Sequence, residues 1–124
     1  DSNLKNVLLA EGCRIEKATI THSIIGVRSQ IRANTEIKDS ILMGNDYYER
    51  PDSPEILQGK LEIGAGCVIE GAIIDKNARI GEGVIIKPFP RGTDQDGDGW
   101  VVRDGIVVIP KSTTIPAGTK IAPG

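Results

Sequence analysis

The apolar residues of this chain recur on a beat of six. In Ala72-Ile-Ile-Asp-Lys-Asn-Ala-Arg-Ile-Gly-Glu-Gly-Val-Ile-Ile86, Ile74, Ile80 and Ile86 stand six apart, and Ala78 and Val84 follow the first two at i+4. A helix face needs steps of three and four throughout, and a half-exposed strand alternates in twos. The six-residue beat fits neither. It predicts short flat strands joined by tight corners and wound into a coil lined by stacked aliphatics. Upstream, Leu9, Ile15, Ile25, Ile31, Ile37 and Met43 carry the beat, with Cys13, Thr19, Ser29, Thr35 and Ile41 at i+4. A step of ten separates Ile15 from Ile25, and Ile20 and Ile24 are the candidates to fill it. Ile63 and Ile69 lead by a five-residue slip to Ile74, and Ile109, Ile115 and Ile121 finish the run, with Thr113 and Thr119 at i+4. Gly26, Gly44, Gly64 and Gly81 directly follow register residues, where a corner with unusual φ suits glycine.

Two polar stretches interrupt the beat, near residues 44–62 and 87–105, and read as loops thrown out from the coil. Within the second, Trp100-Val-Val-Arg-Asp-Gly-Ile-Val-Val108 predicts a hairpin turning at Asp104-Gly105. No amphipathic helix is expected. About a dozen beats at three per turn predict about four coils, with neighbouring strands parallel and about 4.8 Å apart. The fold expected is a left-handed parallel β-helix, one all-β domain spanning 1–124. Coils of this kind escape the right-handed crossover rule because corners, not packed helices, connect their strands.

Composition agrees with thin, repetitive layers. Aromatic residues make up only 3 % of the 124, so Ile, Val and Leu must build the core, and 15 glycines and 7 prolines suit a chain of many corners. The net charge is −2 with scattered lysines and arginines, which gives no basic stripe for nucleic acid. No apolar run approaches the roughly twenty residues of a membrane span, and no signal-like leader opens the chain. Asp1 stands where a Met would start, so a piece of something longer is expected. Cys13 and Cys67 fall on i+4 positions as buried small hydrophobes, needing no disulfide and suiting a reducing compartment.

Four stretches carry a resemblance: His22-Ser-Ile-Ile-Gly-Val-Arg-Ser29, Leu42-Met-Gly-Asn-Asp-Tyr-Tyr-Glu49, Ala72-Ile-Ile-Asp-Lys-Asn-Ala-Arg-Ile-Gly81, and Gly105-Ile-Val-Val-Ile-Pro-Lys111 with Ile115-Pro-Ala-Gly-Thr119. Together they resemble the C-terminal domain of glucose-1-phosphate adenylyltransferase (ADP-glucose pyrophosphorylase), most closely its plant and cyanobacterial branch. The resemblance implies a tetrameric parent, cytoplasmic or plastid, that makes ADP-glucose and pyrophosphate from ATP and glucose 1-phosphate with Mg²⁺ for glycogen or starch synthesis. It places the chemistry in an N-terminal catalytic domain with a Gly-rich phosphate loop. Gly64-Ala-Gly66 and Gly81-Glu-Gly83 lie inside the coil beat and read as corners, so this chain alone is expected to be inactive and to hold no cofactor. Its implied roles are regulation and assembly, with the catalytic domain and further copies of the chain as partners.

The same resemblance points to Lys76 and Lys111 as effector-binding residues, with Arg79 as a further donor. Their ligand would be an anionic glycolytic intermediate such as 3-phosphoglycerate, for which an ammonium on a short corner is a suitable point charge. The plainer alternative is that they are solvated corner residues. The Asp94-Gln-Asp-Gly-Asp-Gly99 stretch and the Pro-Phe-Pro before it depart from the plant pattern and leave the effector's identity open. Asp94, Asp96 and Asp98 with Gly99 reproduce the opening of a calcium loop, but Gly105 stands where such a loop needs its bidentate Glu, and a polar insertion without metal is the reading adopted. His22, the only histidine, is the residue a rival class would use: a stand-alone hexapeptide-repeat acyltransferase with its base between subunits of a trimer. A structural or surface role for it is expected instead. Tyr47, Tyr48 and Trp100 on the excursions are either contact anchors or residues that fold their loops onto the coil.

Overall fold

A computed structural model describes residues 2–124. The chain climbs in three-sided circuits whose strands stack in parallel. The first side is formed by 3–5, 18–21, Thr35–Lys38, Val68–Glu70, Ile85–Ile86 and Lys120–Ile121. The second is formed by 7–9, 23–25, Ile41–Leu42, Ala72–Ile74 and Ile106–Ile109. Arg14–Ile15, Gln30–Ile31, the bridged Ile63, Arg79–Ile80 and Thr114–Ile115 make the third. The stacks hold five complete circuits and the first side of a sixth, where about four were expected.

The difference lies in the corners. The corner from first to second side takes five residues, as in Ile20 to Ile25, Ile37 to Leu42 and Ile69 to Ile74, while the other two generally take six. A later circuit without an excursion therefore spends seventeen residues, so that Ile20 lies over Ile37, Ile25 over Leu42 and Ile69 over Ile86, whereas the first spends sixteen, with Leu4 beside Ile20 and Leu9 beside Ile25. Counting in sixes skips Leu4 and Ile20 and misplaces Met43, whose inward role belongs to Leu42. Ile20 fills the ten-residue step, whereas Ile24 faces outward. Wherever the step is five, the second inward position falls at i+3, which selects Ala18, Ser23, Ser40 and Ala72. Thr19 and Ile41, expected inside, are accordingly exposed.

The dry column consists of Ile20, Ile37, Ile69, Ile86 and Ile121 on one side, Ile25, Leu42, Ile74 and Ile109 on the next, and Ile31, Ile63, Ile80 and Ile115 on the third; all are buried. Each such side chain contributes about 1.5–3 kcal/mol. The smaller inward positions bring polar atoms into the core, and the corners satisfy them. The Ser23 hydroxyl donates to Thr21 O (2.9 Å) and accepts the Ser40 N–H (3.2 Å); Ser40 likewise donates to Lys38 O (2.8 Å) and accepts from Ala72 N–H (3.2 Å). Thr35 Oγ1 donates to Gly64 O at 3.0 Å and Cys67 Sγ to Gly81 O at 3.1 Å. Burial pushes the Cys67 thiol above its ordinary value, so it remains a protonated, structural thiol.

The corner glycines serve a different purpose from the one expected. Gly26, Gly64 and Gly81 do not take left-handed φ; a Cβ on them would collide with the backbones of Met43, Glu82 and Ala117 in the next circuit. Of these four, Gly44 combines such crowding, here against Val27, with a left-handed φ of 86°.

The two excursions differ in kind. Residues 45–62 lie on the outside of the coil and contain one 3₁₀ turn, Pro54–Gln58. In 87–105 the expected hairpin forms: Val101–Arg103 pairs antiparallel with Ile106–Ile109, turning at Asp104 (φ 49°) and Gly105 (φ 82°), and Gln95–Asp96 adds a further strand. This hairpin closes the late end of the column. Among the described residues no circuit lies beyond Ile109 and Ile115 on their sides, yet they are 0 % and 1 % exposed. Trp100, its ring 6.2 Å from that of Phe89, packs against the core, and Gly99 lies against Ile115. Of the two roles weighed for Trp100, folding its loop onto the coil is the one seen. Among the described residues nothing covers the early end in this way: Leu4 and Leu9, both on register, are 43 % and 48 % exposed.

Candidate functional site

Lys76 and Lys111 occupy the same corner of consecutive circuits. The register sets Arg79 beside Thr114, and the Ser112 N–H donates to Lys76 O at 2.9 Å, so the two lysines stand one rung apart, about 4.8 Å along the column. Asn77 (φ 58°) and Ser112 (φ 59°) turn each corner in the left-handed region, which Asn tolerates better than most residues. Both ammonium groups are thereby set on the exposed edge of the coil.

A carboxylate already faces them. Asp46, at the start of the first excursion, lies 3.2 Å from Lys76 Nζ. Its Oδ2 accepts a hydrogen bond from Asn77 Nδ2 (3.0 Å), and its own N–H donates to Asn77 Oδ1 (2.9 Å). The Asn77 amide first, then Lys76 and at longer range Lys111, hold the Asp46 carboxyl below the usual carboxylate range. Asp75 adds a second carboxylate, accepting the Lys76 N–H at 2.6 Å. Neither Asp46 nor Asn77 stands out from the sequence alone. Their signal was the Asn-Asp pair opening the excursion and the Asn directly after Lys76.

Arg79 does not join the lysines. Its side chain is 8 % exposed, and Nη1 binds the Glu49 carboxylate, itself 9 % exposed, and donates to Gly59 O at 2.6 Å. The expected third effector donor is therefore consumed in docking the excursion, because an outward strand residue beside a long loop is covered by that loop. The Leu42-Met-Gly-Asn-Asp-Tyr-Tyr-Glu49 stretch is thus a set of fasteners. Asn45 Nδ2 donates to Arg28 O (3.0 Å), Asp46 holds Asn77, the Tyr48 hydroxyl donates to Gly12 O (2.8 Å), and Glu49 Oε1 accepts the Leu61 N–H (2.8 Å). Tyr47 is exposed.

Asp94 and Asp96 of the second excursion point to separate partners. Asp94 accepts the Asp104 N–H (2.9 Å) and Asp96 binds Arg103 (3.0 Å), while Gly97 lies beneath the Trp100 ring. Among the described residues no three His, Cys, Asp or Glu side chains gather as metal ligands would. His22 sits at a left-handed corner (φ 49°) on the coil surface, with Nδ1 2.8 Å from Asp39 Oδ1 and its side chain 76 % exposed.

A family model described as the GLGC left-handed parallel beta-helix domain matches residues 1–120. The match spans nearly every circuit and both excursions, and it agrees with the curled parallel sheet of the structure. The chain therefore belongs to the GLGC left-handed parallel β-helix family, the type of domain found at the C-terminal end of glucose-1-phosphate adenylyltransferases.

Proposed function

We propose that this domain regulates and assembles an enzyme making ADP-glucose and pyrophosphate from ATP and glucose 1-phosphate, through an anionic activator bound at Lys76 and Lys111. The observation that carries this reading is the stacking of two exposed lysines on one corner of successive circuits. Two ammonium groups a rung apart suit a ligand with two negative groups, such as a phosphorylated carboxylic acid. An activator must bind the active state better than the inactive one. A ligand held on an exposed edge, and shared with a neighbouring catalytic domain, meets that requirement by favouring one arrangement of the two domains. Turnover, and the Mg²⁺ it needs, belong to that other domain.

Two apolar surfaces support the assembly role. The uncovered first circuit, with Leu4, Leu9 and the half-buried Ile15, suits packing against the catalytic domain. An outward stripe on the second side, Leu8 (69 % exposed), Ile24 (45 %) and Ile41 (40 %), suits another copy of the chain in a homotetramer.

Lys111→Glu in the full enzyme tests the effector site. Removing a charge-assisted contact and adding a repulsive one should raise the half-saturating activator concentration about tenfold or more. Unactivated turnover should stay within about twofold, because the lysine is exposed and outside the core. An unchanged activator response would overturn the assignment.

A further inference from the structure

We propose that Asp46 is a built-in competitor at this anion site: its carboxylate occupies the place on Lys76 that an incoming phosphate or carboxylate would take, and ligand binding displaces it. The inference rests on the effector reading of Lys76 and Lys111 and adds the residue that sets the site's affinity.

Asp46 belongs to the excursion, not to the corner, so its contact with Lys76 joins two parts of the chain that can separate. Asn77 holds the carboxylate in place from one side and Lys76 from the other, with Lys111 one rung away. That is the environment an external anion would use. Leaving it does not require the excursion to unfold. Tyr48 fastens the next part of the loop to Gly12, Glu49 binds Leu61 and Arg79, and Arg79 in turn donates to Gly59 O, all independently of Asp46. The tether keeps the internal carboxylate at a high effective concentration beside Lys76, so an external anion sees only the fraction of molecules in which it has moved away.

The test uses the ¹⁵N-labelled chain, titrated with inorganic phosphate while the backbone amides of Lys76, Lys111 and Ser112 are followed by NMR. Asp46→Asn retains a group that can accept from Asn77 but lifts the negative charge off Lys76. A weak, exposed ion pair is being removed, so phosphate should bind about three- to fivefold tighter. Asp75→Asn is the control: it removes an equal charge close by, from a carboxylate bonded to the Lys76 backbone N–H. Equal or weaker phosphate binding by Asp46→Asn would overturn the competitor, as would an equal gain in Asp75→Asn. If Lys111→Glu abolishes the phosphate response while Asp46→Asn leaves affinity unchanged, the site stands and the competitor falls. No phosphate response in the native chain or either Asp variant would overturn both.

Discussion

Gly64 and Gly83 lie in neighbouring circuits and are glycine for different reasons. Gly64 has an ordinary φ, but a Cβ on it would lie 2.6 Å from the Glu82 backbone nitrogen in the next circuit. Gly83 turns a corner at φ 67° with no atom within 4 Å of the place a Cβ would take. Gly64→Ala must push two circuits apart and should cost about 3 kcal/mol. Gly83→Ala meets only the left-handed backbone penalty of about 1–2 kcal/mol. Chemical denaturation of the two variants separates these costs; a larger loss in Gly83→Ala would contradict the packing argument. The same scale explains why Thr35 and Ser40 are tolerated in an aliphatic column, since each hydroxyl ends on a corner carbonyl.

The elements show which features are local and therefore readable. The inward isoleucines and the Asp104-Gly105 hairpin follow from spacing and turn chemistry within a few residues, and the sequence predicts both. The five-residue corner is harder to read, because Ile41, Leu42 and Met43 are all apolar and no local pattern tells which one turns inward. The role of Arg79 is invisible for another reason: its partner Glu49 lies 30 residues earlier, in a loop whose path depends on the finished coil. Motif resemblance points to the lysines at 76 and 111, but their stacking follows only from the register of the finished coil. Arg79→Ala should leave the Glu49 carboxylate buried without its cation, at a cost of about 3–5 kcal/mol. Excursion 45–62 should then be cut by protease well before the coil. A protease pattern matching the native chain would show that the fasteners at Asn45 and Tyr48 suffice without the ion pair.

At the level of the whole molecule, stability is carried by one unbranched column in which each circuit touches only its neighbours. A charge placed in its middle has no route to water. Ile80, 1 % exposed, lies between Ile63 and Ile115. Ile80→Asp should abolish the cooperative melt, since burying an unpaired carboxylate is comparable with the roughly 5–15 kcal/mol that holds a domain together. A soluble variant with native melting temperature would refute the column. The hairpin with Trp100 packs over one end of the column, whereas among the described residues the first circuit has no equivalent, so the two ends differ in their surfaces. The circuit, sixteen residues long at the start of the coil and seventeen later, also sets a unit for changes of length. Deleting or duplicating one whole turn of the spiral preserves the phase of every later side chain, whereas a change that stops part of the way round a turn rotates the remainder out of step. Extra polypeptide is harmless only where it leaves and re-enters at one corner, as both interruptions do.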